Sequence, residues 1–287
     1  MKSLLKNVTD FLLYSNLYVA APVSAISIIT YLLFDLPVNY KLVLFIYCST
    51  LFIYNLHRIV GLSQIDNSSL SARHIWAKKH KTFLFFLIVL SGSCGLVLAL
   101  LLGTIFIAPI CIPALIALGY SMPIIKRKGK YWRLRDVPFA KVFLISITVS
   151  YVSVYLPLYE SFELYTQPEL FYYFLSRCFF IFAITIPFDI RDLEFDKGST
   201  LNTIPMMLGI DKAKQVSLLC LACFSFIVLV LFSQSAYMSV AHLVSAIFAG
   251  WVITLCKKDS SEYYYSLLVE GTMLVLFGLV WWLVKPS

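Results

Sequence analysis

Charged residues are scarce in this sequence. Only 13% of its 287 residues are Asp, Glu, Lys or Arg, whereas 60% are hydrophobic. A soluble globular domain averages about 25% charged residues, so this chain has too few charges to cover a surface that faces water. The scarcity of charge excludes a disordered chain and a secreted soluble enzyme, and it predicts a polytopic membrane protein.

The motifs of several common protein classes are also missing. The sequence has no P-loop, no G-x-G-x-x-G, no zinc signature and no Ser, His, Asp order typical of hydrolases. The seven Cys residues fall within or at the ends of apolar runs and indicate no disulfide framework. The basic, aromatic residues 73–81 are typical of an anchor at the bilayer surface, and we expect no nucleic-acid partner.

Long apolar runs are present instead, and they predict nine membrane-spanning helices. A span needs about 20 apolar residues, so a chain of this length has room for about nine or ten spans. We expect one all-α polytopic membrane domain over residues 1–287. The expected spans cover residues 11–33, 38–62, 83–103, 105–125, 138–157, 169–189, 215–234, 236–256 and 264–284.

The positive charges predict how the chain is oriented. With nine spans, all of the 23 Lys and Arg residues except Lys41, Arg177 and Lys285 lie on the side of the N-terminus or at helix ends that face it. Loops rich in Lys and Arg stay in the cytoplasm. We therefore expect an integral, multi-pass protein of the cell (inner) membrane, with the N-terminus and the long basic loops in the cytoplasm. Most of these charges fix topology and contact anionic lipid.

Three carboxylates follow one another at helical spacing at the end of the sixth span. Asp189, Asp192 and Asp196 stand at i, i+3 and i+7, within a sector of about 60° of one helix face. Such carboxylates repel one another and are costly to desolvate, so we expect a cation to offset them. Mg²⁺ is a suitable cation because it prefers oxygen ligands and often binds carboxylates together with substrate phosphates. The alternative is a solvated helix end that pairs with Lys and Arg of neighbouring loops.

This segment resembles the second Asp-rich motif of the UbiA superfamily of intramembrane prenyltransferases. That motif reads roughly N-D-x-x-D-x-x-x-D, with a Gly and then Thr-Leu-Pro before the seventh span. The matching residues here are Asp189, Asp192, Asp196, Thr203 and Pro205. Phe188 replaces the Asn, and Ile204 replaces the Leu. The resemblance implies a nine-transmembrane-helix UbiA-type bundle in which the three Asp residues hold Mg²⁺ and take part in catalysis.

The first Asp-rich motif of that family has lost its carboxylates in this chain. The family carries it at the end of the second span, where Asn55 is kept but Leu56, Ile59 and Ser63 stand at the three acidic positions. Arg58 shares a helix face with Asn55 and has the planar guanidinium that binds phosphate well. We expect Asn55 and Arg58 to bind a diphosphate. The alternative is that Arg58 extends to lipid headgroups.

Lys126 and Arg127 begin a strongly basic segment between the fourth and fifth spans. Their position at the headgroup region favours either anion binding or lipid anchoring. The segment is similar to the family's Tyr-x-x-x-Lys-Arg sequence, whose basic residues contact the diphosphate of the prenyl donor. The resemblance therefore implies that Lys126 and Arg127 bind diphosphate.

The resemblance as a whole implies a membrane-embedded prenyltransferase. Its partners would be a prenyl diphosphate, a membrane-soluble acceptor and the lipid bilayer, and its cofactor would be Mg²⁺. Two other functions remain open. A noncatalytic UbiA-fold binder of lipid or quinone would explain the loss of the first motif. A small-molecule transporter would use charges within the membrane, for which Arg177 and Glu270 are the candidates.

Overall fold

A computed structural model describes residues 2–62, 71–122, 125–127, 130–196 and 202–283. For residues 2–5, 125–127, 130–132 and 195–196 the description is limited to the backbone. The described part of the chain is almost entirely helical, which confirms the expected all-α membrane fold. One short antiparallel hairpin joins β1 (Ile125–Arg127) to β2 (Lys130–Trp132).

The described residues form helices α1 to α14. Their bounds are α1 (Lys2–Tyr14), α2 (Leu17–Leu33), α3 (Tyr40–Leu62), α4 (Ala72–Lys79), α5 (Lys81–Leu102), α6 (Ile107–Ser121), α7 (Ala140–Ser150), α8 (Leu156–Leu158), α9 (Gln167–Arg191), α10 (Leu193–Asp196), α11 (Ile204–Leu208), α12 (Ile210–Leu231), α13 (Ala236–Leu255) and α14 (Gly271–Leu283). Short 3₁₀ helices occupy Thr104–Phe106, Leu134–Asp136 and Tyr159–Leu164. Turns of π-helix occupy Tyr151–Tyr155 and Tyr264–Val269.

Eight helical segments of the described chain are long and apolar enough to cross a membrane, and there are nine if α1 and α2 count as one span. These two helices meet at an angle of 62°. The first expected span is therefore broken, at Ser15 and Asn16. Asn16 adopts a positive φ of 62°, which ends α1 because a right-handed helix cannot continue through the left-handed region.

The chain packs into two compact units, and the division falls within α2. Unit 1 comprises Met1–Ser24 and Tyr40–Arg133. In unit 1, α3 packs against α5, where Gly92 faces the ring of Phe52. A small apolar cluster of Leu62, Ala77 and Leu84 joins α3, α4 and α5. The prediction of one domain over residues 1–287 stays a prediction.

Unit 2 comprises Ala25–Asn39 and Leu134–Ser287. Its central element is α9, which is more buried than any other candidate span among the described residues and packs against α7 and α12. Phe180, Ile184 and Phe224 are fully or nearly fully buried in the core of this unit. Outward-facing side chains such as Phe226 and Ile247 are apolar, as expected of a surface that faces lipid. The position of α9 fixes the carboxylates at its end inside unit 2.

Candidate functional site

Asp189 is buried near the end of α9 and forms an ion pair with Lys141. The Lys141 Nζ atom lies 2.7 Å from Asp189 Oδ1, and the two side chains are 9% and 1% exposed. Apart from this ion pair, neither carboxylate oxygen of Asp189 accepts a hydrogen bond from the described residues. A buried carboxylate is strongly destabilising unless it is paired. Lys141, in the first turn of α7, therefore stabilises the charge that Asp189 carries.

Asp192 caps α9 and contacts two cations. Its Oδ1 atom accepts a hydrogen bond from Arg191 Nε at 2.8 Å, and its Oδ2 atom accepts one from Arg191 Nη2 at 3.1 Å. Asp192 Oδ2 also lies 3.7 Å from Lys141 Nζ. Asp189 and Asp192 thus share the face that their spacing predicts, and they converge on Lys141.

Asp196 does not continue the same helix. The α9 helix ends at Arg191, Asp192 has a φ of −85° and a ψ of 2°, and Asp196 closes the separate four-residue helix α10. The expectation of three carboxylates along one continuous stripe is therefore wrong for the backbone, because the helix is interrupted at its cap. The carboxylate of Asp196 lies outside the described side chains.

Arg191 is held from several directions. In addition to its contacts with Asp192, Arg191 lies near a second carboxylate, with 3.7 Å between its Nη1 atom and Glu262 Oε2. The guanidinium carbon lies 5.1 Å from the ring centroid of Phe188 and 5.5 Å from that of Tyr265, so the cation faces two aromatic rings. Arg191 is therefore a fixed positive charge next to Asp192.

A small cavity adjoins the buried ion pair. Its volume is about 10 Å³. Its lining residues are Arg135, Val137, Phe139, Lys141, Val142, Asp189, Asn202, Thr203 and Ile204. Thr203 is 4% exposed, and its Oγ1 atom has no hydrogen-bond partner among the described residues. This volume is close to the minimum that holds a single water molecule or one oxygen of a larger ligand.

The backbone beside this cavity is strained. Phe139, which precedes α7, has a φ of 63°, a region that a bulky side chain rarely adopts. Its N–H group donates a hydrogen bond to the carbonyl of Asn202 at 3.1 Å. This bond ties the segment before α11 to the start of α7. Strain of this kind concentrates at functional sites.

In unit 1, Asn55 and Arg58 close the break between α1 and α2. Arg58 donates hydrogen bonds to the carbonyl of Tyr14 and, at 2.6 Å, to Asn16 Oδ1. Asn16 Nδ2 donates to Asn55 Oδ1 at 2.9 Å, and Asn55 Nδ2 donates to the carbonyl of Ser15 at 3.1 Å. These bonds satisfy carbonyl groups that the interrupted helix leaves without helical partners. Diphosphate binding by Asn55 and Arg58 stays a prediction.

Lys126 and Arg127 lie on β1. Their backbone pairs with β2 in the register Lys126 to Tyr131 and Arg127 to Lys130. The side chains of both residues lie outside the described part of the chain. Their role as diphosphate ligands stays a prediction.

The two charges expected within the membrane are not paired with each other in the described residues. Arg177 is 1% exposed, and its Nη2 atom donates a hydrogen bond to the Tyr173 hydroxyl at 2.5 Å. Glu270 instead lies within electrostatic reach of Arg191. The pair that a transporter would use is therefore not formed.

Sequence reasoning missed Lys141 and Arg135. A lysine within an apolar helix is a signal that was available, because Lys141 follows Pro138, Phe139 and Ala140 at the start of the fifth span. Sequence alone does not show that Lys141 reaches Asp189. Within the described side chains, no three His, Cys, Asp or Glu residues are grouped closely enough to hold a metal ion.

Comparison with known proteins identifies similar sequences and folds. The model of the UbiA prenyltransferase family matches residues 77–268. A UbiA homologue from Archaeoglobus fulgidus, solved with GPP and Mg²⁺, is 13% identical with a TM-score of 0.65, and the match covers 96% of this chain and 99% of that chain. An apo UbiA homologue from Aeropyrum pernix K1 is 13% identical with a TM-score of 0.64, over 92% and 96% of the two chains.

A digeranylgeranylglyceryl phosphate synthase structure is 16% identical with a TM-score of 0.55, and the match covers 97% of both chains. No curated protein matches the sequence significantly. At these identities the structural likeness shows the fold alone.

Proposed function

Because the chain belongs to the UbiA prenyltransferase family, we propose that it is an intramembrane prenyltransferase. It transfers an isoprenoid chain from a prenyl diphosphate to a membrane-soluble acceptor. The membrane it occupies is the cell (inner) membrane, with the N-terminus and the long basic loops in the cytoplasm.

The observation that carries this proposal is the charged cluster at the end of α9. Arg135 and Lys141 bring two positive charges to the lining of the small cavity beside this cluster, whereas Asp189 brings one negative charge. The lining of this cavity therefore has a surplus of positive charge, which favours an oxygen of an anionic group such as a diphosphate. Lys126 and Arg127 remain predicted ligands of the same kind of group.

The proposed reaction is substitution at the first carbon of the prenyl chain. The bond between this carbon and the diphosphate oxygen breaks, and both electrons of the bond leave with the diphosphate. A nucleophilic atom of the acceptor forms a new bond to the same carbon and loses its proton. Cationic side chains next to the leaving diphosphate stabilise the negative charge that develops on it.

The described carboxylates do not fit a Mg²⁺ site as they are arranged. The homologue from Archaeoglobus fulgidus was solved with Mg²⁺, but here Asp189 is paired with Lys141 and Asp192 with Arg191. A divalent cation between these carboxylates would meet the ammonium group of Lys141, and like charges at such short range repel. The predicted binding of Mg²⁺ by Asp189, Asp192 and Asp196 is therefore not used in the proposed mechanism.

Binding of labelled prenyl diphosphates to the purified protein in detergent tests the proposed function. The probes are prenyl diphosphates of several chain lengths, each measured with Mg²⁺ and with EDTA. We expect saturable binding of at least one probe, with inorganic diphosphate as competitor and the matching prenyl alcohol as a weak ligand. Asp192→Asn removes the carboxylate that holds Lys141 and Arg191 in position, and the loss of this positioning should weaken binding by about tenfold. Asp211→Asn, on the exposed start of α12, is the matched control.

If a folded protein binds none of the probes in either condition, the prenyltransferase proposal fails. The second candidate function, a noncatalytic binder, is favoured by one observation. The side chains of Asn55 and Arg58 donate hydrogen bonds to carbonyl groups at the break between α1 and α2. Diphosphate release separates the two candidates. A transferase releases diphosphate when membrane extract supplies an acceptor, and a noncatalytic binder does not.

A further inference from the structure

Lys141 lies at the centre of the charged cluster. Its ammonium group is 2.7 Å from Asp189 and 3.7 Å from Asp192, and its side chain is 9% exposed. Two carboxylates from one helix end therefore hold a single ammonium group from another helix. A lysine held in this way has a fixed position.

In this arrangement, as in a metal site, two carboxylates hold one cation. Asp-rich motifs bind diphosphate through a cation, because carboxylates alone would repel it. In this chain the acidic positions of the first motif are Leu56, Ile59 and Ser63. Fewer carboxylates are available to hold a metal ion, and a covalently attached cation stands next to those that remain.

The adjoining cavity lies beside the ion pair and is large enough for one ligand atom. Lys141, Asp189 and Thr203 line it, and the Thr203 Oγ1 atom is buried without a hydrogen-bond partner among the described residues. Its volume of about 10 Å³ admits one oxygen atom rather than a whole diphosphate. A terminal phosphate oxygen is of the right size, accepts hydrogen bonds and is attracted by the positive charges of Lys141 and Arg135.

We propose that Lys141 takes the place of the metal ion. Its ammonium group, positioned by Asp189 and Asp192, donates a hydrogen bond to a phosphate oxygen of the prenyl diphosphate, with Thr203 as a second donor. The chain therefore binds prenyl diphosphate without Mg²⁺. This inference rests on the proposed function and adds a residue and a charge mechanism to it.

The test measures the affinity of a labelled prenyl diphosphate in EDTA and in Mg²⁺ for wild type and for Lys141→Met. Wild type should bind with similar affinity in both conditions. Lys141→Met should lose about tenfold to hundredfold in affinity in EDTA, because a charge-assisted hydrogen bond is removed. Mg²⁺ should restore part of this affinity in Lys141→Met, because the substitution frees Asp189 from its ion pair and removes the ammonium group that repels the metal.

A double variant keeps the test decisive if Lys141→Met does not fold. The double variant Lys141→Met with Asp189→Asn leaves no unpaired buried charge, so we expect it to fold and to bind weakly in EDTA. Mg²⁺ should restore less affinity in this double variant than in Lys141→Met, since one of the two carboxylates is absent. Lys214→Met is the matched control. Lys214 is a half-buried lysine of unit 2 that donates to the carbonyl of Thr254, and its replacement should change neither value.

The binding results distinguish failure of the role proposed for Lys141 from failure of the proposed function. If wild type binds prenyl diphosphate only with Mg²⁺, Lys141 does not replace the metal, although the prenyltransferase proposal stands. The same conclusion follows if the folded variants that lack Lys141 bind as wild type does in EDTA. If wild type binds in neither condition, the proposed function itself fails. A thermal unfolding midpoint that rises with inorganic diphosphate in EDTA, in wild type but not in the folded variants, would support the proposal independently of turnover.

Discussion

The side chain of Asn55 stabilises the fold through hydrogen bonds at the break between α1 and α2. Its amide accepts from Asn16 and donates to the carbonyls of Ser15 and Leu51, and it is fully buried. Asn55→Ala should lower the free energy of unfolding by about 1–3 kcal/mol, because buried polar groups at the break lose their partners. Thermal unfolding in detergent measures the effect as a lower midpoint.

Lys41→Met, at the exposed start of α3, is the control for Asn55→Ala and should leave the midpoint unchanged. The opposite pattern would contradict the structural role. If Asn55→Ala unfolds at the wild-type temperature but binds prenyl diphosphate less tightly, Asn55 contacts the ligand, as the family resemblance implies.

For single residues, the sequence predicts which side chains are charged and which share a helix face better than it predicts which distant residues they contact. Helical spacing correctly places Asp189 and Asp192 on one face, because their relation is local. Lys141 is distant in sequence from both, and only the packing of α7 against α9 brings it to them. The same holds for Arg58, whose contacts with Tyr14 and Asn16 depend on a helix break without Pro or Gly at the breaking position.

Among the elements, the bent pair of α1 and α2 depends on the backbone conformation of Asn16. Its φ of 62° suits Gly best and a β-branched residue least. Asn16→Gly removes the side-chain hydrogen bonds to Asn55 and Arg58, but Gly adopts a positive φ without strain. Asn16→Val removes the same hydrogen bonds and also strains the backbone. We expect the midpoint of thermal unfolding to fall in both variants and to fall further in Asn16→Val, by the equivalent of about 1–2 kcal/mol. Equal midpoints would show that the backbone conformation carries no strain.

The close packing of α3 on α5 depends on Gly92. A Cβ atom at this position would lie 3.1 Å from the Phe52 ring, which is tighter than ordinary van der Waals contact. Gly92→Leu should therefore destabilise unit 1 by about 1–3 kcal/mol, a typical value for overpacking. Gly278→Leu is the matched control, because a Cβ atom at Gly278 in α14 meets no atom within 4 Å. Thermal unfolding of the two variants in the same detergent would show the difference, and equal midpoints would contradict it.

Element positions follow from composition more readily than element ends. Apolar runs of span length predict the helices, since a lipid environment requires internal backbone hydrogen bonds. The interruption between α9 and α10 is not visible in the same pattern, because the 3.6-residue period continues through Asp192 to Asp196. Capping at Asp192 ends the helix where the polar segment begins.

For the molecule as a whole, the scarcity of charge and the bias of Lys and Arg predict a multi-pass membrane fold. The division into two compact units was not predicted, because it depends on which helices pack together rather than on how apolar each one is. The charge bias also predicts an orientation. Positively charged loops are retained in the cytoplasm, so the loops that contain Lys79 and Lys258 should be cytoplasmic and the loop that contains Glu163 should face outward.

Single cysteines at these positions test the orientation in intact cells. Lys79, Glu163 and Lys258 are exposed, so a cysteine at each can react. In a background without the seven native cysteines, Glu163→Cys should react with a membrane-impermeant maleimide before the cells are opened. Lys79→Cys and Lys258→Cys should react only afterwards. The reverse labelling would invert the orientation and place the charged end of α9 on the outer side. Labelling of Lys79→Cys and Lys258→Cys from opposite sides would show that an odd number of spans separates them, which contradicts the expected topology.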